Sequence, residues 1–505
     1  MKSSFPTRVV AFLASAALLS VTACSAGSGT SSGGSSPGGG QNLSIGLVAE
    51  PASLDFTTTD GAAIPQALLG NVYETLVKQD ADTGKIVPSL AKSWTVSPDR
   101  KTYTFDLVDN AKFTNGKPFT ASDAVFSINR VKTAWTISLK SAMDVVSAAT
   151  AVSPTKLQVT LAKPSNDWLF RMTTRIGAMF SETGVSALAT DPVGTGPFKF
   201  SKWNRGDSIV LARNDGYWGT KPFFQQITLK YFKDATALNN ALLTSTINVI
   251  GTVQAPEALS QFTSNSKYQV IEGTTNGEVL LSFNNSRPVF KDIRTRQAIR
   301  MAIDHKALLD TCWAGRGKLI GSMVPPTDPW YEDLTGIAPY DLAKAKSLLQ
   351  ASGAAGKTLR LRLPTLPYAT SCGQVVKSDL EQAGLKVQID QLEFPAAWLT
   401  TVFKNADYDM SIIAHVEPRD LGAVFNAKYY TRYDDPTLQA DLAAADAGDE
   451  ATQIADMKKA ARRLSEQAAG DWLFLLPNLM VADKDIKGLP TNAITENFDL
   501  SKLSR

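Results

Sequence analysis

The stretch VPSLAKSWTVSPDRKTYTFDLVDNAKFTNGKPFTASDAVFSINR, Val87 to Arg130, carries the reading on which the fold turns. Ser97-Pro98-Asp99-Arg100 places proline and aspartate where a type I turn tolerates them. The chain then enters Lys101–Val108, where Tyr103, Phe105 and Leu107 alternate with Thr102, Thr104 and Asp106. One apolar face with a period of two predicts a half-buried strand. Asn115-Gly116 supplies the next turn. Thr120-Ala121-Ser122-Asp123 has the form of a capping box, and Ala121, Ala124, Val125 and Ile128 give the helix behind it one apolar face.

Outward from this stretch, strands and helices alternate. Upstream, Leu43–Val48 reads as a strand, Glu50–Asp55 as the loop leaving it, and Ile64–Val77 as a helix. Downstream, Leu157, Val159 and Leu161 mark a strand, as do Ser208–Arg213 and Gln226–Phe232. Phe290–Lys306 reads as a basic amphipathic helix with its preceding turn. Asp341–Ala351 is helical and stops at Gly353. A strand at Leu359–Leu363, a helix at Val375–Ala383 ending at Gly384, and a strand at Leu385–Ile389 form a strand–helix–strand unit. Leu438–Ala468 reads as helices and Trp472–Val481 as a closing strand. The class is α/β with more than one sheet, and a chain of this length predicts two or three lobes.

Composition narrows the function. Basic and acidic residues nearly balance, at 51 against 48, which argues against nucleic acid as the main partner. Only two histidines are present, His305 and His415, too few for a His-based triad to be expected. Ser89-Leu-Ala-Lys92 and Ser153-Pro-Thr-Lys156 match S-x-x-K, but the S-D-N and K-T-G elements of that chemistry are missing. A zinc helix, a nucleophile elbow and a P-loop are also missing from the sequence. No cofactor is expected.

The N-terminus predicts export. Lys2 and Arg8 precede an apolar run, Val9–Leu19, far short of the roughly 20 residues that a spanning helix needs. This is the form of a signal peptide, residues 1–23. Leu19-Ser20-Val21-Thr22-Ala23-Cys24 is similar to a bacterial lipobox, predicting lipidation of Cys24; an ordinary signal-peptidase cut after Ala23 is the alternative. Residues 24–41 follow as a tether, almost wholly Gly, Ser and Thr from Gly27 to Gly40, a composition that stays flexible. Export also permits Cys312 and Cys372 to pair. Sequence leaves that pairing open.

Three blocks in order carry a resemblance: Val87–Arg130, Gly194–Pro222 (GTGPFKFSKWNRGDSIVLARNDGYWGTKP) and Phe290–Leu308 (FKDIRTRQAIRMAIDHKAL). With Pro51–Asp55 and Val72–Val77, they resemble the oligopeptide-, dipeptide- and nickel-binding proteins of bacterial ABC importers, solute-binding family 5. The resemblance implies a periplasmic-binding-protein-like clamp of type II, with an extra subdomain in one lobe. Lobe I spans 42–283, its core being 42–76 and 190–283 and its subdomain about 77–189. Lobe II spans 284–470, and 471–505 returns to lobe I. The implied partners are a peptide or other small solute, such as chelated nickel, and the membrane permease. The chain is expected to act as a monomer and not as an enzyme.

For site residues, the resemblance implies Glu50 and Ser53 in the loop lining the cleft and Asn284 where the chain crosses between lobes. Peptide-binding members carry an acid that pairs with the ligand ammonium. Here that stretch reads Ile412–Asp420, with His415 in place of a tryptophan and Pro418 at the acidic position. Either Glu417 or Asp420 is the substitute, and Arg419 is suited to a carboxylate through a bidentate fork. Phe394 and Trp398 are further cleft candidates. Two histidines without a His pair offer little for direct coordination of nickel, which favours imidazole.

Overall fold

The computed structural model describes residues 41–505; the expected signal peptide, the expected lipidation site Cys24 and the Gly/Ser segment lie outside the described residues. Val87–Arg130 builds much of a four-stranded antiparallel sheet, ordered Ala91–Val96, Thr102–Leu107, Lys156–Leu161, Val146–Ser153. Tyr103, Phe105 and Leu107 are buried while the residues between them are half-buried. The Thr120 amide and hydroxyl both donate to the Asp123 carboxylate, at 2.9 and 2.8 Å. Such an N-terminal cap contributes about 1 kcal/mol. The helix it opens, Ala121–Ala134, buries Ala121, Ala124 and Ile128.

A ten-stranded mixed sheet organises the rest. On one side run Val249–Ile250, Asn42–Leu47, Gln226–Tyr231, Ser208–Arg213 and Phe198–Asn204; on the other run Met410–His415, Thr358–Pro364 and Lys386–Leu392. Between these groups lie two long strands, Tyr268–Phe283 and Gly470–Asp483. At 16 and 14 residues they far exceed the usual length of about 5–6, so each serves both lobes. Their pairing runs from Tyr268↔Asp483 to Thr274↔Pro477, breaks, and resumes at Glu278↔Leu475. Pro477 has no amide to donate to a ladder, which suits a break at that point. Beyond it Glu278–Phe283 pair with Met410–His415 of lobe II. The joint of the clamp therefore lies inside these strands, at Thr274–Glu278 and Leu475–Pro477.

Each lobe has its own core. Ile45, Phe56, Phe105, Trp168 and Ile209 belong to the core of lobe I. Leu281, Phe290, Leu361, Val376 and Phe474 belong to that of lobe II. Cys312 and Cys372 form a disulfide with Cα atoms 5.0 Å apart, tying helix His305–Trp313 to helix Pro367–Gln382.

Three expected helices differ in extent. The first runs only Ala63–Leu68 rather than to Val77. Gly70 turns the chain at φ +73°, and the next carbonyls accept from elsewhere: Asn71 from Phe198 N, Val72 from Gly196 N, Glu74 from Met179 N. This contact requires the glycines of the Gly194–Pro222 block, because a Cβ on Gly194 would lie 1.9 Å from Val72 O. Glu74 accepts from Thr195, Tyr217 and Trp218, each at 2.8 Å, so two separate sequence blocks meet on one buried carboxylate. Phe290–Lys306 splits into Ile293–Ala302 and His305–Trp313, because Asp304 caps the second helix by accepting from Lys306 N and Ala307 N. The helix expected from Val375 begins earlier, at Pro367, where proline is suited to the first turn.

Candidate binding site between the lobes

The strand Met410–His415 ends at the joint, directly opposite Glu278. Residues directly opposite on paired strands share a face, with Cβ atoms about 5 Å apart. His415 is buried, with Nε2 2.9 Å from the Tyr430 hydroxyl and Nδ1 3.4 Å from Asp420 Oδ2. Its ring stacks on Tyr430, which in turn meets Trp398 edge-on.

The loop after His415 reaches across to lobe I. Glu417 Oε1 accepts from Arg175 Nη2 at 3.2 Å, and Arg175 is held on its other side by Glu496 at 2.8 Å. The Gly61 carbonyl accepts from Arg175 Nη1. Arg171 donates to the carbonyls of Pro418 and Arg419 at 3.1 and 2.7 Å. Arg419 lies over the Phe170 ring at 3.9 Å and the Trp330 ring at 4.8 Å, with Asp328 at 3.6 Å. Arginine over aromatic faces is attractive in itself, by about 0.5–2 kcal/mol.

A second interlobe contact lies away from this cluster. At the start of helix Asn166–Arg171, Ser165 Oγ and the Asp167 amide donate to Asp446 at 2.7 and 2.9 Å. In return Asn166 donates to the carbonyls of Ala445 and Gly448, and Arg100 donates to those of Ala447 and Gly448. The open N-terminal amides of one helix and the open C-terminal carbonyls of helix Pro436–Ala447 thus satisfy each other's neighbours across the lobes.

Carboxylates outnumber guanidinium groups around the joint. Asp60, Glu278, Asp328, Glu417, Asp420 and Glu496 meet Arg171, Arg175 and Arg419. Burial raises Asp60. Asp328 is pushed up to about 6, mainly by desolvation. Asp420 is raised by burial against the opposing pull of His415. Glu278 is raised well above the ordinary carboxylate range by burial and by the charges of Asp420 and Asp328.

Of the residues expected at the site, His415, Glu417 and Asp420 come together, and Arg419 lies beside them on Asp328. Trp398 and Phe394 sit one ring layer away, with Trp398 Nε1 donating to Ser411. The other three make their hydrogen bonds within one lobe. Glu50 is taken up within lobe I, accepting from Trp203 Nε1 at 2.7 Å and the Gly206 amide at 2.9 Å. Ser53 caps its own loop by accepting from Asp55 N. Asn284 is buried in lobe II, donating to the carbonyls of Ala406 and Tyr408. Arg171, Arg175, Glu278, Asp328 and Glu496 were missed. Only the i,i+4 spacing of Arg171 and Arg175 offered a local signal. Ser153 is exposed, and its motif partner Lys156 faces Asp106 at 3.3 Å.

Two α/β lobes on a shared sheet, hinged on two strands and carrying a buried charged cluster between them, define a two-lobed solute-binding clamp. The chain belongs to the bacterial extracellular solute-binding proteins, family 5, whose middle region matches residues 85–432. It is 33% identical over 355 residues to the nickel-binding periplasmic protein of Escherichia coli K12, covering 63% of this chain and 65% of that one. It is 26% identical over 371 residues to the dipeptide-binding protein of the same strain, covering 67% and 68%. The match thus spans about two thirds of each relative. In structure it is similar to DppA of Helicobacter pylori in complex with the peptide STSA, with a TM-score of 0.84 at 23% identity, covering 92% of this chain and 98% of that chain. It is also similar to NikA of Staphylococcus aureus in complex with Ni(L-His)2, with a TM-score of 0.81 at 19% identity, covering 92% and 100%. No helix among the described residues is long and apolar enough to cross a membrane.

Proposed function

We propose that this protein is the peptide-capturing component of an ABC-type importer, held at the outer face of the cytoplasmic membrane through lipidated Cys24. Its lobes close on an oligo- or dipeptide and present it to the permease, with no bond made or broken. The observation that carries this reading is the acidic surplus of the interlobe cluster. A peptide's ammonium supplies the missing positive charge, and buried charge is tolerated only when paired. Switching the clamp from mostly open to mostly closed takes about 5.5 kcal/mol of differential binding.

One observation favours a second cargo. His415, Glu417 and Asp420 each offer a ligand atom, all within 4.8 Å of one another, a mixed nitrogen and oxygen set suited to a chelated divalent ion. Purification from the native host followed by mass spectrometry separates the readings. Co-purified peptide supports the first, and metal with no peptide supports the second. Covalent labelling of Ser89 or Ser153 by a β-lactam probe would overturn both. For the anchor, Cys24→Ser is expected to move the protein from the membrane fraction to the medium or periplasm and to remove the acyl mass; unchanged fractionation would refute lipidation.

A further inference from the structure

We propose that Glu278, on the strand Tyr268–Phe283, is the carboxylate that receives the ligand's cationic group. The inference rests on the reading of this cluster as the binding site and assigns a determinant within it. It follows from asking which carboxylate has hydrogen-bonding capacity left. Glu496 is held by the Arg175 guanidinium and amide. Glu417 accepts from the same arginine, Asp420 faces His415 Nδ1, and Asp328 faces Arg419. Glu278 differs: it is 2% exposed, and its Oε2 is buried with no hydrogen-bond partner among the described residues. A buried acceptor left without a donor is costly, more so if charged, so an orphan at the joint of a clamp marks where a donor belongs.

The surroundings fix the donor's sign. Directly opposite Glu278 is His415 on the neighbouring strand, and the charges that bear on its carboxyl are those of Asp420, Asp328 and Glu417. Each arginine already has its own acid: Asp167 for Arg171, Glu496 for Arg175, Asp328 for Arg419. The remaining acids raise the demand for a cation. The backbone of Glu278 pairs with both His415 and Leu475, which holds it at the lobe II edge of the joint. A compact, donor-only group such as a primary ammonium fits an acceptor-only carboxylate; a permanently uncharged or anionic ligand does not.

The test compares wild type with Glu278→Gln, using tri-alanine, N-acetyl-tri-alanine and Ni(L-His)2 as probes in titration calorimetry. For tri-alanine the expected result is a loss of about 30-fold in affinity, the scale of one charge-assisted hydrogen bond. N-acetyl-tri-alanine should bind wild type weakly and respond little to the substitution. Tri-alanine binding both proteins equally overturns the assignment while leaving the peptide reading intact. If no probe binds wild type, the peptide and nickel readings fail, and the assignment of Glu278 falls with them.

Discussion

Arg175 shows how much one side chain can hold at an interlobe site. It is 1% exposed and touches Glu496, Glu417 and the Gly61 carbonyl, joining the C-terminal segment, lobe II and the loop after the first strand. Removing one member of a buried ion pair costs about 3–5 kcal/mol, because the partner is left charged without compensation. Arg175→Met is therefore expected to lower the unfolding free energy from denaturant titration by that amount, and adding Glu496→Gln should recover part of it. Equal stability of wild type and Arg175→Met would show that the cluster does not depend on this cation. His415, Glu417 and Asp420 were legible in the sequence because they are near neighbours in the chain. Arg175 was not, since its partners lie at positions 61, 417 and 496.

At the scale of elements, local signals held wherever the chain satisfies itself. The Thr120–Asp123 box, the alternation in Thr102–Leu107 and the stop at Gly353 (φ +68°) all depend on residues a few positions apart. They failed where backbone groups found distant partners, as at Asn71–Glu74, whose carbonyls are taken by residues 179–198. The same exchange of helix ends builds the contact of Ser165–Asp167 and Arg100 with Ala445–Gly448. Its bonds form only when the lobes meet, so they favour the closed clamp without touching the joint. Arg100→Ala combined with Asn166→Ala is expected to shift the ligand-free protein toward the open form. Small-angle scattering should report a larger radius of gyration than for wild type; an unchanged value would mean the contact has no part in closure.

The molecule as a whole is two cores on one sheet, and its charge balance is set where they meet. Asp328, at about 6 against an ordinary 3.8, keeps a proton when folded that the unfolded chain gives up. Its contribution is present in full below pH about 3.8 and is lost as pH rises to about 6, amounting to about 3 kcal/mol. Glu278 and Asp420, raised for the same reason, act in the same direction. Ligand-free stability should therefore fall between pH 4 and 6.5, and Asp328→Asn should flatten the slope in denaturation measured across that range. Equal slopes would show that Asp328 titrates as an ordinary acid. By itself the sequence determined the α/β class and the family, because these rest on local periodicity, turn chemistry and the order of motif blocks along the chain. Only the tertiary structure decided that Glu50, Ser53 and Asn284 are bound within their own lobes, and that Glu278 and Arg175 stand at the joint. Whether a polar group is free or already partnered depends on atoms hundreds of residues away, and no local pattern encodes that.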